Sequence, residues 1–152
     1  MATQLTAGTL TVTITESLTI DHSTNADDRT LSQTNTHTFA SVLNIDSRVI
    51  NLSTTNETVL ANFSTVEGVG QFIAGNVKYI RITNLDDSNS IYVGYHGATD
   101  TAWTEIKADS STMFSNGGVE TADTFASFDT LTDIKAKAAS VNTQLEIVVA
   151  SS

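Results

Sequence analysis

The chain contains no cysteine and no proline. Without cysteine there is no disulfide framework and no thiol chemistry, and the usual staple of small secreted domains is missing. Average proteins carry about 5% proline, so here Gly, Asn, Asp and Ser must make the turns. Cations are also scarce. Seven Lys+Arg stand against 17 Asp+Glu, for a net charge of −10 and a pI of 4.4. Polyphosphate and anionic lipid both repel such a surface, so neither nucleic acid nor a membrane is an expected partner. The plainest consequence of the charge is solubility. No window approaches 18 consecutive apolar residues, so no transmembrane helix is expected. The segment MATQLTAGTLTVTI has neither the basic start nor the continuous apolar core of a secretory signal.

What is present is a series of strand signals. The 152 residues suit a single domain, expected over residues 1–152, with a real core. A hydrophobic fraction of 39% is low. It fits a two-layer sandwich in which alternate residues face water, and equally a protein that completes its burial by assembling. Residues 1–8 are small and polar and read as an N-terminal arm. From Thr9 onward Leu10, Val12 and Ile14 alternate with Thr9, Thr11, Thr13 and Thr15, and Leu18 and Ile20 keep the phase. A period of two over that length predicts a strand with one face buried and a solvated Thr face. Residues 21–35 form a long polar connector, either a surface loop or an arm ordered by contact with another chain.

Further strands are predicted around Thr38–Ile45 and Arg48–Leu52, with a break at Asp46-Ser47. Thr58 to Val66 is compatible with helix or strand and favours strand. The best hairpin signal is VKYIRITNLDDSNSIYVGYHG, from Val77 to Gly97. Two β-branched and aromatic runs flank Asn84, Asp86, Asp87, Ser88 and Asn89, whose side chains bond nearby backbone and so make turns. Trp103 to Lys107 and Thr112 to Phe114 are short strands, Ser115 to Ala122 a loop, and Phe125 and Phe128 are expected to dock on the core. Leu131–Ala139 and Gln144–Ala150 are expected to form a closing pair about a Ser140–Asn142 turn. The prediction is an all-β, antiparallel fold of eight to ten short strands with long polar loops, a β-sandwich or a barrel.

No motif carries catalysis. His22, His37 and His96 lack metal-ligand spacing. Asp21-His22-Ser23 has the residue types of a hydrolase triad, but neighbours on an extended chain point apart. Gly68-Val69-Gly70 lacks the third glycine of a dinucleotide loop. Asp86 and Asp87, and more weakly Asp27, Asp28 and Asp100, could offer oxygen ligands to Ca²⁺, but an ordinary polar turn explains them. Trp103, Tyr92, Tyr95 and His96 could line a sugar platform. Alternation places Tyr92 and Tyr95 on opposite faces, however, and core packing is the expected place of Trp103. Asn51, Asn56 and Asn62 match glycosylation acceptors, as chance produces in a chain rich in Asn, Ser and Thr. No catalytic, cofactor-binding or metal-binding residue is predicted, and the chain is not expected to be an enzyme.

The hairpin segment, followed by WTEIKADSSTMF and by LTDIKAKAASVNTQLEIVVAS, resembles small virion structural proteins of tailed bacteriophages. The residues that carry the likeness are Tyr79 to Asn84, Ile106 to Asp109 with Met113-Phe114, Ile134 to Ala138, and Leu145 to Val149. It covers roughly the C-terminal half. Asp109 departs from it, standing where a turn glycine would be usual. The resemblance implies a jelly-roll-like sandwich on the capsid surface of a virion, made in the host cytoplasm. It also implies a capsid decoration (cement) role, with the major capsid protein or other virion proteins as partners and a homo-oligomer, a trimer first. The alternatives are a fibre or tail accessory protein, or a carbohydrate-binding or adhesion β-sandwich. The last requires an exposed aromatic platform or a Ca²⁺ site and would be disfavoured by a buried Trp103.

Overall fold

The structure, a computed structural model, describes residues 7–20, 29–115 and 131–152. Among these residues eleven strands form, one more than the upper expectation: β1 (Gly8–Ile20), β2 (Arg29–Val42), β3 (Asn44–Leu52), β4 (Thr58–Phe63), β5 (Gln71–Phe72), β6 (Val77–Asn84), β7 (Ile91–Gly97), β8 (Thr101–Ile106), β9 (Ser111–Ser115), β10 (Leu131–Ala138) and β11 (Thr143–Ser151). They build a five-stranded sheet, β5-β4-β10-β7-β8, a four-stranded sheet, β3-β11-β6-β9, and a separate ribbon, β1-β2. All pairings are antiparallel except the short β4-β5 pair.

The two sheets face each other as a sandwich, because each presents one apolar row. Ile80, Ile82, Leu145, Ile147 and Val149 of the four-stranded sheet join Leu60, Ile91, Val93, Ile134, Ala136 and Ala138 of the five-stranded sheet in one core. Period-two alternation puts these residues on the inner faces and Arg81, Glu146, Lys135 and Lys137 on the outer ones. Tyr95 packs edge-on against Phe114 within the core, with ring centroids 5.3 Å apart. Burial pushes its hydroxyl pKa up to about 12, an effect that nearby Thr104 and Thr112 offset only in part.

The strands of the expected hairpin exist, but they do not pair. Neighbours β11 and β9 occupy the two edges of β6, and β10 and β8 occupy those of β7. Residues 85–90 therefore carry the chain across the gap between the sheets, which is about 10 Å in stacked sheets. The expected closing pair is corrected in the same way: β10 lies in the five-stranded sheet and β11 in the four-stranded one. The expected break at Asp46-Ser47 is absent, and β3 runs through it. The interruption falls at Leu43, beside Ser41 with its positive φ of 61°. The stretch 29–35 of the predicted polar connector is strand rather than loop, pairing residue by residue with β1. The outer part of the N-terminal arm, residues 21–28, Phe125 and Phe128 lie outside the described residues, as does the predicted 115–122 loop beyond Ser115.

One arginine ties the sheets together at an edge. Arg48 and Asp46 lie on the inner face of β3, opposite Ile147 and Val149. The Arg48 Nε donates to Asp46 Oδ1 at 3.0 Å, and its Nη2 donates to the Leu60 carbonyl of β4 at 2.6 Å. Gly70, at φ +70°, lies against the same guanidinium, where an added Cβ would come within 3.0 Å of Nη1. Arg48→Ala would leave both a carbonyl and a carboxylate without their donor. The expected loss is about 1–3 kcal/mol in chemical denaturation, whereas Arg81→Ala on the more exposed outer face should cost less.

Candidate functional site

The polar turn between β6 and β7 is a structural knot. Asn84, 1% exposed, ends β6 on its inner face. Its amide nitrogen donates to the carbonyls of Asn89 (2.7 Å), Lys107 (3.0 Å) and Ile106 (3.3 Å), while its Oδ1 accepts from the Asp86 N–H. Asp86 Oδ1 accepts from the backbone N–H groups of Ser88 and Asn89 and from the Asn89 side chain. Asp86 Oδ2 accepts from the Thr143 hydroxyl at the start of β11. Both carboxylate oxygens of Asp86 thus accept from donors of this chain, and these bonds build the turn. Asp109, in the left-handed region at φ 52°, donates its N–H to the Asp86 carbonyl. That conformation is the reason a glycine would suit the position.

These donors hold the Asp86 carboxyl at a pKa of about 2. The Ser88 N–H contributes most, then the Asn89 side chain and N–H, then Thr143. A carboxyl with a lowered folded pKa adds stability above its unfolded pKa, near 3.8, and loses it as pH falls through the folded value. Wild-type stability should therefore drop between about pH 4 and pH 2. The gap between wild type and Asp86→Asn in urea melts should close over the same window. A gap of constant size from pH 7 to pH 2 would contradict this account. Glu105, whose pKa the Lys107 and Ser90 side chains also lower, acts in the same direction in both proteins.

The remaining sequence candidates scatter. His37 stands on the ribbon and His96 on the outer face of the five-stranded sheet, and His22 lies outside the described residues with Asp21 and Ser23. Asp27 and Asp28 lie outside as well, and Asp100 accepts from the Thr99 hydroxyl beside it in a turn. Among the described residues no three His, Cys, Asp or Glu side chains group to hold a metal. The Gly68-Val69-Gly70 segment is a tight turn in which Gly68 and Gln71 exchange backbone hydrogen bonds.

Trp103 is not in the core. It is 44% exposed, on the outer face of β8 opposite Gly94 of β7. Tyr92 is also on this face, 37% exposed, while Tyr95 is buried on the other, as alternation predicts. The benzo ring of Trp103 reaches over Gly94: a Cβ there would meet two of its carbons at 3.0 Å and His96 Nε2 at 2.8 Å. His96 meets the indole edge-on, with centroids 5.7 Å apart, and a contact of 3.2 Å to the Thr101 hydroxyl fixes its Nδ1. The Lys137 ammonium stands over the indole at 5.2 Å from the centroid. Behind them Lys135 lies between Glu57 and Asp133 at 4.0 and 3.5 Å.

No family model matches the chain, and no curated protein or solved structure matches it either. The outer face of the five-stranded sheet offers an aromatic surface with charges beside it. The parts that sequence reasoning missed are Gly94, Lys137 and Glu57. Their signal exists only once the register sets Lys135, Gly94 and Trp103 in one row and Lys137, Tyr92 and Glu105 in the next.

Proposed function

We propose that this chain is a non-enzymatic virion structural protein that decorates a bacteriophage head and stabilises the shell by binding across neighbouring subunits. The observation that carries the reading is the β1-β2 ribbon. Among its described residues only its root is packed: Leu10, Val12, Phe39 and Val42 lie with Tyr79 and Ala150 on the outer face of the four-stranded sheet. Beyond Val12 the ribbon continues for eight more residues to the end of β1, roughly 25 Å at the rise of a strand. An isolated two-stranded ribbon is marginal in water, so one this long is best explained by a surface that receives it.

Its faces suit that use. One carries the facing pairs Thr11–Thr38, Thr13–Thr36 and Thr15–Thr34. The other runs from the packed root to a bare pair, Leu18 opposite Leu31, which are 54% and 63% exposed. An arm that buries such a face on a neighbour stabilises the assembled state by linkage and needs no chemistry. The resemblance in the C-terminal half supports the phage setting, a jelly-roll-like form of the sandwich and a trimeric assembly. The test is co-sedimentation with empty phage heads, with the heat stability of the heads as the second readout. Binding that raises head stability supports the reading. A protein that stays in the supernatant at all ratios refutes it.

A further inference from the structure

We propose that the outer face of the five-stranded sheet binds a neutral glycan, with Trp103 and Tyr92 as the stacking surface. Three observations converge on this. First, the large side chain here is exposed rather than packed, although the core beneath is complete. Second, Gly94 makes the place for it: only a residue without a side chain lets the benzo ring of Trp103 lie against the strand. Third, the Lys137 ammonium stands over the indole, 5.2 Å from its centroid, so the ring face attracts positive charge and a sugar would stack there by displacing that ammonium. A π face attracts positive charge, and the C–H bonds on one side of a pyranose ring present the same polarity.

The polar groups a sugar needs stand beside the rings. Tyr92 lies between Lys137 and Glu105 in the row next to Trp103. Lys137 would donate to ring hydroxyls and the Glu105 carboxylate would accept from them. Diagonal neighbours on a sheet lie roughly 7–8 Å apart, so Trp103 and Tyr92 suit adjacent rings of one chain. Charge selects the class. Glu57, Asp133 and Glu105 border the surface and the protein carries a net −10, so sulfated and uronate polymers are repelled. This face is the opposite side of the sandwich from the ribbon root, so a subunit docked through its arm leaves it open.

Trp103 is the single tryptophan of the chain, so its fluorescence reports on this surface alone. The full-length protein is titrated with cellohexaose, laminarihexaose, mannohexaose and chitohexaose and applied to an array of neutral and anionic glycans. The expected result is a saturable shift in Trp103 emission with a neutral glycan. Affinity should weaken by about tenfold in Tyr92→Ala, which keeps the fluorophore. Array binding should be lost in Trp103→Ala and in Gly94→Ala, whose Cβ displaces the ring, with far-ultraviolet circular dichroism unchanged. No binding to any neutral glycan, binding confined to anionic glycans, or binding that survives Trp103→Ala would each overturn the assignment. A ribbon-shortened protein that still binds glycan but not heads separates this site from the decoration role.

Discussion

Asn84→Ala is expected to destabilise the fold strongly. The side chain is buried and serves four backbone groups on two segments: the Asn89, Ile106 and Lys107 carbonyls and the Asp86 N–H. Alanine cannot replace any of these bonds, and water has little access to the site. Each buried polar group left unpaired costs about 1–3 kcal/mol, so a total near or above 3 kcal/mol is expected. That is a large share of the roughly 5–15 kcal/mol by which a domain is stable. The measurement is the urea midpoint at an unchanged m-value, with the exposed Asp87→Ala as control. Asn84→Asp should be worse than alanine, because it sets a carboxylate against three carbonyl oxygens. A loss for Asn84→Ala below that for Asp87→Ala would show that the turn does not hold the two sheets together.

Shortening the ribbon is expected to abolish head binding while leaving the sandwich folded. Thr13 pairs with Thr36, so joining these residues through an Asn-Gly turn removes residues 14–35 and keeps the packed root. The root matters because Phe39 and Val42 are buried against Tyr79 and Ala150. Among its described residues the removed part contributes no buried side chain to the body, so the melting temperature should stay close to that of the full chain. Co-sedimentation should vanish. A milder variant, Leu18→Ser with Leu31→Ser, keeps the ribbon and removes its bare apolar pair. Burying a leucine gains about 1.5–3 kcal/mol, and each is already about half covered. The pair should then weaken binding by about 2 kcal/mol, roughly thirtyfold. Full head binding by the shortened protein would remove the ribbon from the decoration mechanism.

Much of the local structure was legible because period-two alternation is a strong local signal. Leu10-Val12-Ile14, Ile80-Ile82 and Leu145-Ile147-Val149 each declare a strand and its apolar face. The Asn84–Asn89 cluster declared a turn, and the positive φ of Asp109 accounts for the missing glycine there. Trp103 was read wrongly for a physical reason. Its neighbours in sequence give it a phase, but a single large aromatic residue suits either side of a sheet. Its partner Gly94 lies on another strand, and nothing local reports that pairing.

Composition and pattern alone determined an all-β chain, most of its strands with their inward residues, the site of the main turn and the absence of thiol chemistry. Which strands share a sheet was decided only in three dimensions. A hairpin and a crossing between stacked sheets both put the apolar residues of two successive strands toward one core, so alternation cannot tell them apart. The choice rests on which backbone edges remain free, and every edge of β6 and β7 is taken by strands distant in sequence. The same holds for the two surfaces that bear on function. The ribbon stands apart because among the described residues no third strand joins it, and Trp103 forms a surface because the register sets a glycine beneath it.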